Sequence, residues 1–143
     1  MNTFIPDVSV AAKWVLPTAE ERLIPEAFRL LESYTADEIR LIVPDIFWPE
    51  FGNVLWKAVR QGRQSPPSAE AAIASMQERG ITTAPSLGLL PEALAIALNF
   101  GCTVYDSLYV ALAITIKGEF ITADQRLASA LAAYLPVKWL GAL

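Results

Sequence analysis

Four carboxylates stand where apolar stretches of this chain begin or end. Asp7 follows the short apolar run that closes at Pro6, and Asp124 follows Phe120-Ile121-Thr122-Ala123. Asp106 lies in the opening turn of the apolar stretch that starts at Thr103, and Glu50 lies near the start of another. Brought together, such groups repel one another, so some must protonate or bind a cation. An all-oxygen donor set suits a hard ion such as Mg²⁺ or Mn²⁺, which can activate water and stabilise the charge developing in a phosphoryl displacement. That chemistry needs no histidine, and the chain has none. Ser-His-Asp and Cys-His catalysis, a histidine acid–base nuclease and a typical zinc site are therefore excluded. Each acid also has an ordinary structural explanation. Thr103 and Asp106 fit a capping box, and Asp7 and Asp124 are natural helix caps. For Glu50 the ordinary explanation is a snorkelling or paired edge residue, with Lys57 as candidate partner. The case for chemistry rests on the set: an acid-centred, metal-dependent phosphodiesterase.

The elements that must position these acids alternate along the chain. A strand over Asn2 to Ile5 precedes a helix over Val8 to Val15, broken at Pro17 and Thr18, and a second helix runs from about Glu20 to Ser33. Leu41 to Val43 reads as a buried strand stopped by Pro44, with Asp45 as cap of a long helix reaching about Gln61. Phe47, Phe51, Val54, Leu55 and Ala58 form its apolar stripe at about 100° per residue, with Glu50 on the flank. Pro49 predicts that this helix either starts there or kinks there. Gly62 to Ser68 reads as an exposed loop, followed by a helix over 67–79 and a weak strand over 81–83. A helix over Pro91 to Phe100 closes at Gly101. After the Asp106 helix, Gly118 returns the chain to a strand over Phe120 to Thr122. A helix over 125–134 and an edge strand over 137–139 complete the order. This alternation predicts an α/β fold, with a mostly parallel sheet covered on both faces and ligands at the carboxyl ends of its strands.

A length of 143 residues suits one domain spanning 1–143, and 54% hydrophobic residues suit a doubly covered sheet with surface to spare for a protein partner. A net charge of −4 argues against a protein that coats nucleic acid indiscriminately. It leaves room for a local basic rim, for which Lys13, Lys57, Arg60 and Arg63 are the candidates. No apolar run reaches membrane length, the opening residues lack a signal peptide's pattern, and Cys102 is alone. A cytoplasmic address is expected. Trp14, Trp48 and Trp56 are candidates for aromatic surface used in self-association.

Four segments in order resemble the PIN-domain family of the VapC toxin type. Asp7-Val8-Ser9-Val10-Ala11-Ala12-Lys13-Trp14 resembles its opening D-x-S-V-x-x-K-W segment. Pro44 to Leu55 resembles the helix carrying its glutamate, with Asn53 three residues after Glu50. Thr103-Val104-Tyr105-Asp106-Ser107-Leu108-Tyr109 and Ile121-Thr122-Ala123-Asp124 match its third and fourth acidic segments. The resemblance covers essentially the whole chain. It implies a PIN-like α/β/α sandwich and a Mg²⁺- or Mn²⁺-dependent endoribonuclease acting on RNA as a homodimeric toxin held by a cognate antitoxin. Carried onto this chain, Asp7, Glu50, Asp106 and Asp124 form the acidic metal centre. Asp7 and Asp106 make the more direct metal contacts, and Glu50 and Asp124 act through water or position the nucleophile. Ser9 and Thr122 are supporting hydroxyls, and Asn53 is a polar neighbour. A phosphate-receiver domain would need a second acid beside Asp7 and a well-placed late lysine. An aspartate-nucleophile phosphatase would need D-x-D where this chain has Asp7-Val8-Ser9. A non-catalytic PIN-like interaction module is the remaining alternative.

Overall fold

The computed structural model describes residues 1–16 and 21–143. Five strands form one sheet: β1 (Asn2–Pro6), β2 (Ile39–Pro44), β3 (Thr82–Ala84), β4 (Glu119–Thr122) and β5 (Val137–Trp139). They pair in the order β3-β2-β1-β4-β5, and every pairing is parallel. The described residues also form seven α-helices, α1 (Val8–Val15), α2 (Ile24–Thr35), α3 (Phe47–Arg60), α4 (Pro66–Glu78), α5 (Leu90–Phe100), α6 (Val104–Ile116) and α7 (Gln125–Leu131), and two single 3-10 turns at Leu87–Leu89 and Leu140–Ala142. The fold is the expected α/β/α sandwich. From central β1 the chain builds outward through β2 to β3, then crosses back to β4 on the other side of β1. The order therefore reverses between β1 and β4, the crevice where parallel α/β sheets bind ligands.

Burial explains the arrangement. Phe4, Ile5, Phe120 and Ile121 on the two central strands are all buried, as a sheet covered on both faces requires. Helix α6 is buried continuously from Ser107 to Ala113, because it lies between α5 and the sheet. Tyr109 stacks on Phe120 with ring centroids 5.3 Å apart, and Phe47 stacks on Phe51 at 5.7 Å. Full burial of each such ring is worth about 1.5–3 kcal/mol, so these contacts hold α3 and α6 firmly.

Several boundaries differ from expectation for identifiable reasons. Helix α2 begins at Ile24, since Leu23 is left-handed (φ 68°) and Pro25 suits a first turn. The expected break at Pro17-Thr18 and start near Glu20 lie outside the described residues. Asp45 does not cap α3. Its carboxylate instead accepts hydrogen bonds from the Ser86 amide and hydroxyl, and the helix starts at Phe47 without a side-chain cap. Pro49 causes neither a start nor a break, because it falls in the first turn, where amides have no intrahelical partner. The loop expected over 62–68 is shorter, since Ser65 caps α4 at Pro66. Helix α7 stops at Leu131, three residues earlier than expected.

After α6 it is Lys117, with φ 58°, that takes the left-handed turn, while Gly118 serves proximity. A Cβ at Gly118 would sit 2.7 Å from the Thr3 carbonyl oxygen. Only glycine lets the start of β4 lie this close to β1. No single helix among the described residues is long and apolar enough to cross a membrane.

Candidate active site

Asp7 emerges directly from β1 and caps α1. Its amide donates to the Ile121 carbonyl of β4 at 3.1 Å, which ties the ends of the two central strands together. Its Oδ1 accepts from the Ser9 amide (2.9 Å), the Val10 amide (3.3 Å) and the Ser9 hydroxyl. Asp124 follows β4 and caps α7, with Oδ1 accepting from the Arg126 and Leu127 amides, both at 3.1 Å. The two caps are joined through hydroxyls. Ser9 Oγ lies 3.4 Å from Thr122 Oγ1 and accepts from the Ala123 amide at 2.9 Å, and Thr122 Oγ1 accepts from the Asp124 amide at 3.1 Å. The structure thus places Ser9 and Thr122 directly against the acids.

Asp106 and Glu50 come from helices on the same end of the sheet. Thr103 caps α6 and its hydroxyl accepts from the Asp106 amide at 3.1 Å, as the capping pattern requires. One turn further along α6, the Tyr109 hydroxyl donates to Glu50 Oε1 at 2.8 Å. Glu50 is therefore held by Tyr109 rather than by Lys57, which is exposed and takes no part in a salt bridge among the described residues. Tyr109 was not expected at the site. Its spacing of three residues from Asp106, on one helical face, was the available signal.

Asp106 is electrostatically linked to each of the other three acids. Burial pushes the Asp7 carboxyl from 3.8 up to about 6, opposed by its hydrogen bonds and assisted by the Asp106 charge. Burial likewise raises Glu50, against the Tyr109 bond, and the Asp106 charge adds to the rise. Asp106 is raised by its own burial and then by the charge of Asp124, with the Thr103 hydroxyl opposing. Burial foremost, and then the Glu50 charge, pushes the Tyr109 hydroxyl far upward, so it remains a donor. No salt bridge among the described residues involves any of the four acids.

The ring is looser than a preformed cage. Among the described residues no three histidine, cysteine, aspartate or glutamate side chains are grouped as they would be around one ion. What the acids share is a pattern of half-use. Asp7, Asp124 and Glu50 each commit one oxygen to hydrogen bonds within the protein, and none of those bonds uses the second oxygen. Carboxylates with spare oxygens and no cationic partner, ranging from buried Asp7 through half-buried Glu50 to exposed Asp124, suit a hard divalent cation. Mg²⁺ in particular needs only one or two carboxylates beside its waters.

Other candidates fall elsewhere. Asn53 is exposed and makes no side-chain hydrogen bond among the described residues. Lys13 and Arg63 both turn to Glu21, at 3.5 and 3.4 Å, and Arg60 lies over the Trp56 ring at 5.0 Å. Trp14 is buried and donates to the Ala27 carbonyl, which removes it from the surface candidates. Trp48 fastens α3 to β3 through Thr83 Oγ1 at 3.0 Å, leaving Trp56, 52% exposed, as the freest of the three tryptophans.

Parallel α/β/α architecture with acids gathered about Asp106 at its switch point defines a class of acid-centred α/β domains. Within it, this chain belongs to the PIN domain family, whose model matches residues 4–131. It is 37% identical over 81 residues to Ribonuclease VapC3 of Pyrobaculum aerophilum, a match spanning 55% of this chain and 62% of that relative. Its fold matches the crystal structure of PAE2754 from the same organism with a TM-score of 0.70 and 20% identity, covering 99% of this chain and 85% of the other. It also matches VapBC2 from Rickettsia felis, solved bound to a DNA fragment from their promoter. There the TM-score is 0.65 and the identity 10%, covering 96% and 98% of the two chains.

Proposed function

We propose that this protein is a Mg²⁺- or Mn²⁺-dependent endoribonuclease, the toxin of a toxin–antitoxin pair. The observation that supports the reading is the electrostatic link of Asp7, Glu50 and Asp124 to Asp106, with none of the four in a salt bridge among the described residues. The relative named as a ribonuclease and the neighbour named as a VapBC protein support the same class. Asp7 and Asp106 are assigned the direct metal contacts, with Glu50 and Asp124 acting through water. When bound, the ion would lower the pKa of a coordinated water and offset charge on the phosphoryl oxygens. The chain's own part is positional. Tyr109 fixes one Glu50 oxygen, so the other can accept a hydrogen bond from the attacking water. Ser9 and Thr122 hold the Asp7 and Asp124 caps in register across the two central strands.

Cleavage of total RNA by purified protein tests this reading. Asp106→Asn should lower single-turnover cleavage by about 10³-fold or more while leaving the fold intact, and a chelator should do the same to the wild type. Full activity under either condition would defeat the assignment.

The cognate antitoxin and a second copy of the chain are the proposed protein partners. For self-association the stripe on α5 and the turn before it is better placed than the tryptophans. Leu87, Leu90, Leu94 and Leu98 recur at helical spacing and are all exposed. Sedimentation should show a dimer for the wild type and a monomer for the Leu94→Glu/Leu98→Glu variant. A monomeric wild type at tens of micromolar would refute this surface.

A further inference from the structure

Beside the acid ring lies a groove of about 460 Å³, within the ordinary size range for a small ligand. Asp106 and Asp124 line it together with Arg126, and its apolar wall includes Phe100, Leu127 and Leu131. Arg126 shares this groove with two carboxylates, yet it forms no salt bridge among the described residues. Only its backbone is engaged, the amide donating to Asp124 Oδ1. Beyond the wall, the Phe100 ring meets that of Tyr134 with centroids 6.1 Å apart and planes tilted by 42°. Tyr134 is 78% exposed, an unusual position for an aromatic ring with nothing to cover it.

Taken together, the groove offers acids, then an unpaired guanidinium, then aromatic faces. Guanidinium is suited to bidentate contact with phosphate, and exposed aromatic rings stack on bases of any identity. We infer that this groove seats one nucleotide flanking the cleaved bond, with Arg126 holding its phosphate and the Phe100–Tyr134 pair taking its base. The inference rests on the ribonuclease reading above. Arg126 and Tyr134 are positioning residues, not catalytic ones. The assignment also explains why a chain with a net charge of −4 needs no broad basic face: one well-placed cation beside the acids anchors the strand.

The test is anisotropy binding of a random pool of single-stranded octaribonucleotides to the Asp7→Asn protein, which lacks an acid outside the groove. Adding Arg126→Ala should weaken binding about 10-fold and flatten the slope of log affinity against log salt by about 0.7, the value for one phosphate on a single strand. Arg126→Lys should restore the slope. Tyr134→Ala should weaken binding about 5-fold with the slope unchanged. Both side chains are exposed, so neither change removes core packing. Unchanged affinity and slope in Arg126→Ala, in a protein whose parent cleaves RNA, would overturn this inference alone. Loss of a protein partner with RNA binding untouched would overturn it equally, marking the groove as a protein-docking site. A wild type that cleaves no RNA would overturn the ribonuclease reading and this inference with it.

Discussion

Two neighbouring strand ends carry the same dipeptide. Pro6-Asp7 closes β1 and Pro44-Asp45 closes β2, side by side in a parallel sheet. Asp7 is buried, caps the helix that follows and takes part in the electrostatics of the acid ring. Asp45 is exposed, leaves its helix uncapped and binds Ser86 beyond the edge strand. Local sequence therefore does not set the role of a strand-end acid; the neighbours do. The end of β1 faces β4 and α6, which bring Asp124 and Asp106. The end of β2 faces the edge strand β3, which brings only hydroxyls.

Activity should separate the two positions most strongly. Asp7→Asn should reduce single-turnover RNA cleavage by about 10³-fold or more, whereas Asp45→Asn should stay within about 3-fold of wild type. Equal losses at both positions would erase the distinction drawn between the two strand ends.

Stability should separate them next, and with opposite consequence for the fold. The folded Asp7 carboxyl titrates at about 6 against an ordinary 3.8, so the native state holds this proton more tightly than the unfolded chain. The charge on Asp7 therefore costs nothing below pH 3.8, costs progressively more up to about 6, and its full cost is present above that. A displacement of this size corresponds to about 3 kcal/mol. Asp7→Asn keeps a capping oxygen and removes the charge, so urea unfolding at pH 7.5 without divalent ions should show a gain of about 1–3 kcal/mol. The gain should vanish near pH 4. Mg²⁺ should stabilise the wild type and not the variant. An Asp7→Asn protein less stable than wild type at pH 7.5 would contradict the buried-charge account.

An effect of similar size on stability concerns how closely the two central strands approach. Gly118→Ala would set a methyl group 2.7 Å from the Thr3 carbonyl oxygen and 2.9 Å from Ile5 Cδ1. Relief of that overlap should cost about 1–3 kcal/mol of stability. It should also lower cleavage at permissive temperature, because moving β4 moves Asp124 away from Asp7. Thermal unfolding and cleavage measured on the same preparation check this, and unaltered values for both would show that the strand spacing is not critical.

Much of this protein was legible along the chain, because much of it is local. Helix α1 over Val8 to Val15, with Asp7 as its cap, needs only a strand-ending proline, a capping acid and helical spacing. The Thr103–Asp106 cap and the Gly101 stop are likewise decided within a few residues. The alternation of elements then implied a parallel sheet, since parallel neighbours require crossover helices. Asp45 was misread for the complementary reason. By local rules it is as good a cap as Asp7, and only the distant Ser86 draws its carboxylate away.

What the linear order could not decide is where separate segments meet. That Tyr109 holds Glu50, that Glu21 gathers Lys13 and Arg63, and that Trp14 turns inward to Ala27 all depend on contacts between different elements. The groove uniting Arg126 with Asp106 and Phe100, and the contact of Phe100 with Tyr134 beyond it, are of the same kind. Caps, turns and periodicity are set by backbone hydrogen bonds over a few residues, so the sequence alone carried them. Partnership among side chains is set by packing across the sheet and by desolvation of the charges brought there, and only the tertiary structure supplied it.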